Sequence, residues 1–184
     1  MNLLFSRPLP GKVTVILLAC FVLAACTGKP QGVEPVKGFE KERYLGKWHE
    51  IARLDHSFEE GLSRVTADYT LREDGGVKVV NRGYSREDQE WSEATGKAYF
   101  VEDETTAWLK VSFFGPFYGS YIVFELGENY DYSFVSGPDK SYLWLLARSP
   151  RVEPALVEAF IAKSEALGFD TSELIFVDHP SAND

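Results

Sequence analysis

Eight short runs along this chain alternate apolar and polar side chains with a period of two, the pattern of strands buried on one face. The clearest is 64–71, where Val65, Ala67 and Tyr69 interleave with Thr66, Asp68 and Thr70. The others are 47–54, 77–84, 91–101, 107–114, 118–126, 130–136 and 142–148. Turn residues separate many of them: Glu73-Asp74-Gly75-Gly76, Gly115-Pro116, Gly127-Glu128-Asn129 and Gly137-Pro138. Links this short join sequential strands as hairpins. Eight such strands in a row predict an all-β, up-and-down antiparallel barrel, because closure leaves no exposed sheet edge. The period changes at 153–167. Pro154 stands near the start, Leu156, Phe160 and Leu167 form a narrow stripe, and Gly168 follows the end. These signals predict one C-terminal α-helix packed outside the barrel on one face. A short strand at 174–177 should then lie beside the first.

Alternation also assigns faces. Trp48 is large enough to plug the narrow end of a barrel, and Arg148 can lie over its ring as a cation–π partner. That pair marks the inward side. Trp144 and Leu146 share the face of Arg148, Tyr69 that of Val65 and Ala67, and Asn81 that of Val79. Val111 pairs with Phe113 in the same way, and Tyr121 with Val123. Tyr69, Val79, Asn81 and Val111, with Phe113, Tyr121 and Trp144, are therefore the candidate ligand-binding wall. The wall is mostly apolar with a few polar groups, which suits an acyl chain with a modest polar head. Glu50 shares the face of Trp48, which predicts a carboxylate buried near the barrel floor. Such a group needs a partner or a proton, and a structural salt bridge is the expected answer. The connections after strands one, three, five and seven, at 55–63, 85–90, 114–118 and 137–141, fall at one end and form the predicted mouth. Phe58 and Leu62 are placed as its lid. Phe114, Phe117 and Tyr118 are placed as an apolar rim, the kind of patch that contacts a partner, ligand or membrane. A rim of this type is expected to collect lipid from a bilayer.

The start of the chain changes the picture. Arg7 and Lys12 precede 13 uncharged residues at 13–25. That apolar run is too short to span a membrane as a helix, and with small residues at its end it reads as a signal peptide over 1–25. The mature chain then begins at Cys26 as one domain. Residues 26–38 hold Pro30, Pro35 and three glycines and read as a flexible tether. The barrel domain is expected over 39–179, with 180–184 as a tail. Without Arg7 and Lys12, 17 basic face 28 acidic side chains, a net charge of −11. So acidic a surface excludes nucleic acid as a partner. Cys20 leaves with the leader, so no disulfide and no cysteine-based metal site is expected. His49 and His56 lie seven apart across a strand end, which is not a zinc spacing, and no Gly-x-Ser-x-Gly elbow or phosphate loop occurs. No catalytic residue, metal or cofactor is predicted.

Leu23-Ala24-Ala25-Cys26 resembles the lipobox of bacterial lipoproteins. The resemblance implies cleavage before Cys26, diacylglycerol on its sulfur and acylation of the new amino terminus, a combination that anchors a domain firmly. Thr27 in place of an aspartate implies the outer membrane. The domain resembles the lipocalins, and among them the bacterial branch that is similar to apolipoprotein D. Gly46-Lys47-Trp48-His49-Glu50-Ile51-Ala52-Arg53 carries the Gly-x-Trp signature, Tyr130-Asp131-Tyr132 resembles the second motif, and Arg148 matches the third. Lys110 to Gly119 resembles the bacterial branch in particular. His49 stands where tyrosine is common, and Asn129 where threonine is usual. The resemblance implies a barrel that stores or transports fatty acids or lysophospholipids for envelope maintenance under stress, without turnover. Two alternatives stay open: a scaffold lipoprotein with an incidental barrel, and an enzyme acting on a lipophilic substrate. Association into a homodimer also stays open.

Overall fold

A computed structural model describes residues 27–179. The leader at 1–25, Cys26 and the tail at 180–184 lie outside the described residues. A short helix α1 (Lys41–Tyr44) leads into eight strands: β1 (Gly46–Leu54), β2 (Leu62–Leu71), β3 (Val77–Ser85), β4 (Glu90–Phe100), β5 (Trp108–Ser112), β6 (Gly119–Leu126), β7 (Tyr132–Ser136) and β8 (Leu143–Ala147). Helix α2 (Pro154–Ala166) follows, and β9 (Leu174–Phe176) ends the sheet. Each strand pairs antiparallel with the next, β8 returns to β1, and β1 pairs with β2. The barrel is therefore closed and up-and-down, as the hairpin pattern predicts.

Closure is uneven along its height. β1 meets β2 only over Gly46–His49. Above that level the two strands part, and the C-terminal segment fills the seam. Ala52 to Leu54 pair with β9, the Val177 N–H donates to the Ile51 carbonyl at 2.9 Å, and the Arg64 N–H donates to the Asp178 carbonyl at 2.9 Å. A strand edge left open here would expose unpaired backbone. The predicted place of the last strand, beside the first, is the observed one.

Two apolar layers result from the alternation. One fills the lower barrel around Trp48, Leu109, Val123 and Leu146. The other lies between the barrel wall and α2, where Phe160 is fully buried against Phe134. Pro154 opens the helix and Gly168, at φ +81°, follows its end. Strand seven starts at Tyr132, two residues later than the expected 130, because Tyr130 has a left-handed φ of +58° that a ladder cannot hold.

The expected flexible tether is a correction. Residues 28–38 lie along the outside of the wall. The Ser120 hydroxyl donates to the Gly28 carbonyl at 2.6 Å. Val33 is fully buried in the layer under α2. The Val36 N–H donates to the Val123 carbonyl and its carbonyl accepts from Ala107, both at 2.9 Å. Phe39 is then buried in the lower core. Apolar residues at 33, 36 and 39 dock the strap, and proline and glycine content concealed that spacing.

Candidate functional site

The upper barrel encloses a cavity of about 670 Å³, within the range of small-molecule pockets. Lining residues run from Phe39 and Tyr44 at the bottom to Phe58, Phe114 and Tyr142 in the loops of the predicted mouth. All seven wall positions read from alternation line it: Tyr69, Val79, Asn81, Val111, Phe113, Tyr121 and Trp144. Leu62 and Phe58 do as well. Phe114 reaches the lining, whereas Phe117 and Tyr118 stand outside it. Phe114 is 78% exposed and Phe117 68%, while Tyr118 lies under the Lys110 ammonium, 5.5 Å from its ring centre.

The floor is held by Trp48 and Arg148. Trp48 is fully buried, and its indole N–H donates to the Tyr44 carbonyl at 2.8 Å. The Arg148 guanidinium lies 3.9 Å from the indole centre. It also donates to the carbonyls of Arg43 (2.8 Å), Lys47 (2.9 Å) and Tyr130 (3.2 Å). It thus ties α1, β1 and the β6–β7 turn into one plug. Gly46 sits at φ +90°, a conformation favourable to glycine, at the corner this plug requires.

Three tyrosines sit just above. The Tyr121 hydroxyl is 2.7 Å from that of Tyr44 and 3.0 Å from that of Tyr69, and Tyr44 also meets the Ser133 hydroxyl at 3.0 Å. Burial pushes the Tyr44 phenol up to about 12 and the other two well above their ordinary value. All three stay protonated and satisfy one another, so the cavity bottom is polar but uncharged.

A second polar group lies higher. Glu50 is buried, and the Arg53 Nη1 donates to its Oε1 at 2.8 Å. Arg53 Nη2 donates to the Glu59 carbonyl at 2.7 Å, and the Trp144 indole donates to the Glu59 carboxylate at 3.1 Å. The expected salt bridge of Glu50 is present, but it sits above the floor. Burial pushes the Glu50 carboxyl well above its ordinary value, the neighbouring Glu59 adds to this, and Arg53 pulls the other way. Burial also raises Glu59. The Arg53 guanidinium bonds the Glu50 carboxylate and the Trp144 indole that of Glu59, and burial holds both carboxyls above the usual carboxylate range.

Strict alternation puts residues 50 and 53 on opposite faces. A β-bulge at Ile51 brings them together: Glu50 pairs with Leu146, Ala52 with Leu145, and Arg53 with Trp144. Both Leu146 and Trp144 face inward. Arg53 was missed for this reason, and Glu59 because it lies in the β1–β2 connection, where alternation assigns no face. The available signal was the adjacent apolar pair Ile51-Ala52, where the period of two breaks. Tyr44 was missed because it precedes the first alternating run, and Ser133 because a lone serine within the 130–136 run gives no sign of a buried partner. His56 stacks on Tyr142 with ring centres 4.3 Å apart, which holds the β1–β2 lid over the mouth.

Asn81 Oδ1 is buried in the wall with no hydrogen-bond partner among the described residues.

A closed eight-stranded barrel with an outer helix, an indole-plugged floor and a hollow, mostly apolar interior is the architecture of a lipocalin. Residues 39–179 match the model of the lipocalin-like domain, and the chain belongs to that family. It is 61% identical over 165 residues to outer membrane lipoprotein Blc of Vibrio cholerae, covering 89% of this chain and 96% of that protein. It is 47% identical to outer membrane lipoprotein Blc of Escherichia coli K12, covering 89% and 94%. Apolipoprotein D of Rattus norvegicus is 29% identical, covering 84% and 82%. Among solved structures, insecticyanin from the tobacco hornworm Manduca sexta superposes with a TM-score of 0.67 at 21% identity, covering 84% of this chain and 88% of that one. That likeness concerns the fold.

Proposed function

We propose that the chain is a lipid-anchored carrier at the outer membrane that binds one fatty acid or lysophospholipid reversibly in its barrel. The observation that carries the reading is the enclosed cavity of about 670 Å³, apolar on most of its wall and open at one end. The wall residues named above contact the acyl chain by dispersion and exclusion of water. Polar groups are few and placed: the tyrosine hydroxyls at depth, Asn81 on the wall, and the Glu50–Arg53–Glu59 group above. The relatives named outer membrane lipoprotein and the lipobox at Cys26 support the anchor. The acylated cysteine is the proposed anchor; among the described residues no helix is long and apolar enough to cross a membrane. Storage or transport of lipids for envelope maintenance under stress fits such a carrier.

Native mass spectrometry of the 27–184 domain tests this. The expected result is one bound lipid per barrel after incubation with lysophospholipid, with quenching or enhancement of tryptophan fluorescence from Trp144 at the wall. A domain that stays empty and optically silent at saturating lysophospholipid and fatty acid would overturn it.

A further inference from the structure

We propose that the acylated Cys26 and the aromatic β5–β6 hairpin form one membrane-docking face, which holds the open end of the barrel against the bilayer. This rests on the lipid anchor proposed above.

The strap supplies the argument. The Gly28 carbonyl is fixed to the hydroxyl of Ser120, the second residue of β6, which also accepts from the Trp108 indole at 3.3 Å. Ser120 therefore lies immediately beside the β5–β6 hairpin, one of the mouth connections. From Gly28 the strap descends past Val33 and Val36 and reaches the floor at Phe39. The anchor thus leaves the domain at the mouth end. Two Cα–Cα steps separate Cys26 from Gly28, a reach of about 8 Å at most. A free tether of twelve residues would give a typical span of about 20 Å and leave the orientation open. The docked strap removes that freedom.

The surface beside this point is suited to lipid. From Val111 to Phe124 the chain carries no charged residue, although the mature domain is strongly acidic. Phe114 and Phe117 project from this stretch with 78% and 68% of their surface exposed. Phe58, from the neighbouring lid, is also exposed and lines the same mouth. Apolar rings in water at the point where an acyl anchor emerges are covered when they enter the acyl boundary. Lipid can then pass between bilayer and cavity without crossing bulk water.

The test uses the lipidated full chain on vesicles of phosphatidylethanolamine and phosphatidylglycerol. The sulfur of Cys26 is blocked by its acyl group, so a single introduced cysteine takes an NBD label. Phe117→Cys reports the hairpin, and Glu128→Cys reports the exposed β6–β7 turn at the floor end. Dithionite added outside the vesicles should bleach the label at 117 severalfold more slowly than the label at 128, and its emission should be blue-shifted. Equal bleaching rates, or slower bleaching at 128, would overturn the docking face. If the 27–184 domain still binds lysophospholipid in that case, the carrier reading stands alone. A labelled chain absent from the vesicles would overturn the anchor and this proposal with it.

Discussion

Arg53→Met isolates the buried polar group that alternation concealed. Arg53 is 1% exposed, donates to Glu50 and to the Glu59 carbonyl, and lies 3.4 Å from the Asp55 carboxylate. Methionine keeps an unbranched stem and removes the charge and every donor. Breaking a buried pair by removing one partner costs about 3–5 kcal/mol, because the other charge is left uncompensated. The carboxyls can escape part of that cost by binding protons, at about 1.4 kcal/mol for each unit between pKa and pH. This fixes the sign of the pH dependence. Burial and Glu59 already raise the Glu50 carboxyl, with Arg53 opposing them. Loss of Arg53 raises it further, so the penalty is largest at high pH and shrinks as pH falls toward the ordinary carboxylate range. Urea unfolding of both proteins at pH 8 and pH 5 measures it. The expected loss at pH 8 is about 3–5 kcal/mol, clearly smaller at pH 5, and smaller again in the Glu50→Gln/Arg53→Met double variant. A penalty that is the same at both pH values, or below about 1 kcal/mol at pH 8, would refute the assignment of a buried, charge-coupled trio.

Glu50 carries a linked prediction. A carboxyl whose folded-state pKa is raised above the ordinary 4.5 binds its proton more tightly in the folded chain. Its contribution is fully present below about pH 4.5 and lost as pH rises through the folded value; stability curves of Glu50→Gln should show a flatter fall over that window. Trp48→Ala removes a fully buried indole, its bond to Tyr44 and the surface on which Arg148 rests. It should cost about 3–5 kcal/mol in chemical denaturation, and an unchanged midpoint would contradict the floor plug. Ala94→Trp places a large ring in the upper cavity; lysophospholipid affinity should fall at least about tenfold, or 1.4 kcal/mol, while the unfolding midpoint stays close to wild type. Phe117→Ser should slow lipid uptake from vesicles and leave stability within about 0.5 kcal/mol, and equal uptake rates would count against the rim.

Legibility followed the regularity of the backbone. Where strands keep a strict period of two, as in β8 and in β2 from Thr66 onward, inward positions such as Tyr69 and Trp144 could be read directly. Where the backbone departs from that period, it failed. The Ile51 bulge turned Arg53 inward, although an arginine in a strand reads as a solvent residue. The strap was misread for a different reason. Its docking depends on three apolar side chains spaced by three, a spacing that signals nothing without the layer under α2 that takes Val33 and the lower core that takes Val36 and Phe39. The tyrosine cluster was half visible: Tyr69 and Tyr121 fell on inward faces, but Tyr44 belongs to a four-residue helix that no pattern announces.

That the barrel is hollow rather than filled also has a cause in the chain. The inward face of β4 reads Ser92, Ala94, Gly96 and Ala98 before it reaches Phe100 near the floor. Opposite them on β3 stand Gly83, Asn81, Val79 and Val77. Gly96 is small for a local reason: a Cβ there would stand 2.8 Å from the ring of Phe113, which lies across it. Large rings gather instead at the bottom, where Phe39, Tyr44, Trp48 and Tyr69 pack together. Interiors close-pack wherever side chains can reach, so a void persists only where one wall is too short to fill it. Small residues on β4 above a crowded floor therefore create the space, and the polar trio of β1 and the connection after it lies at the edge. Side-chain bulk is thereby traded for room: Ser92, Ala94 and Ala98 leave volume that a lipid tail can take, while Phe113 covers Gly96.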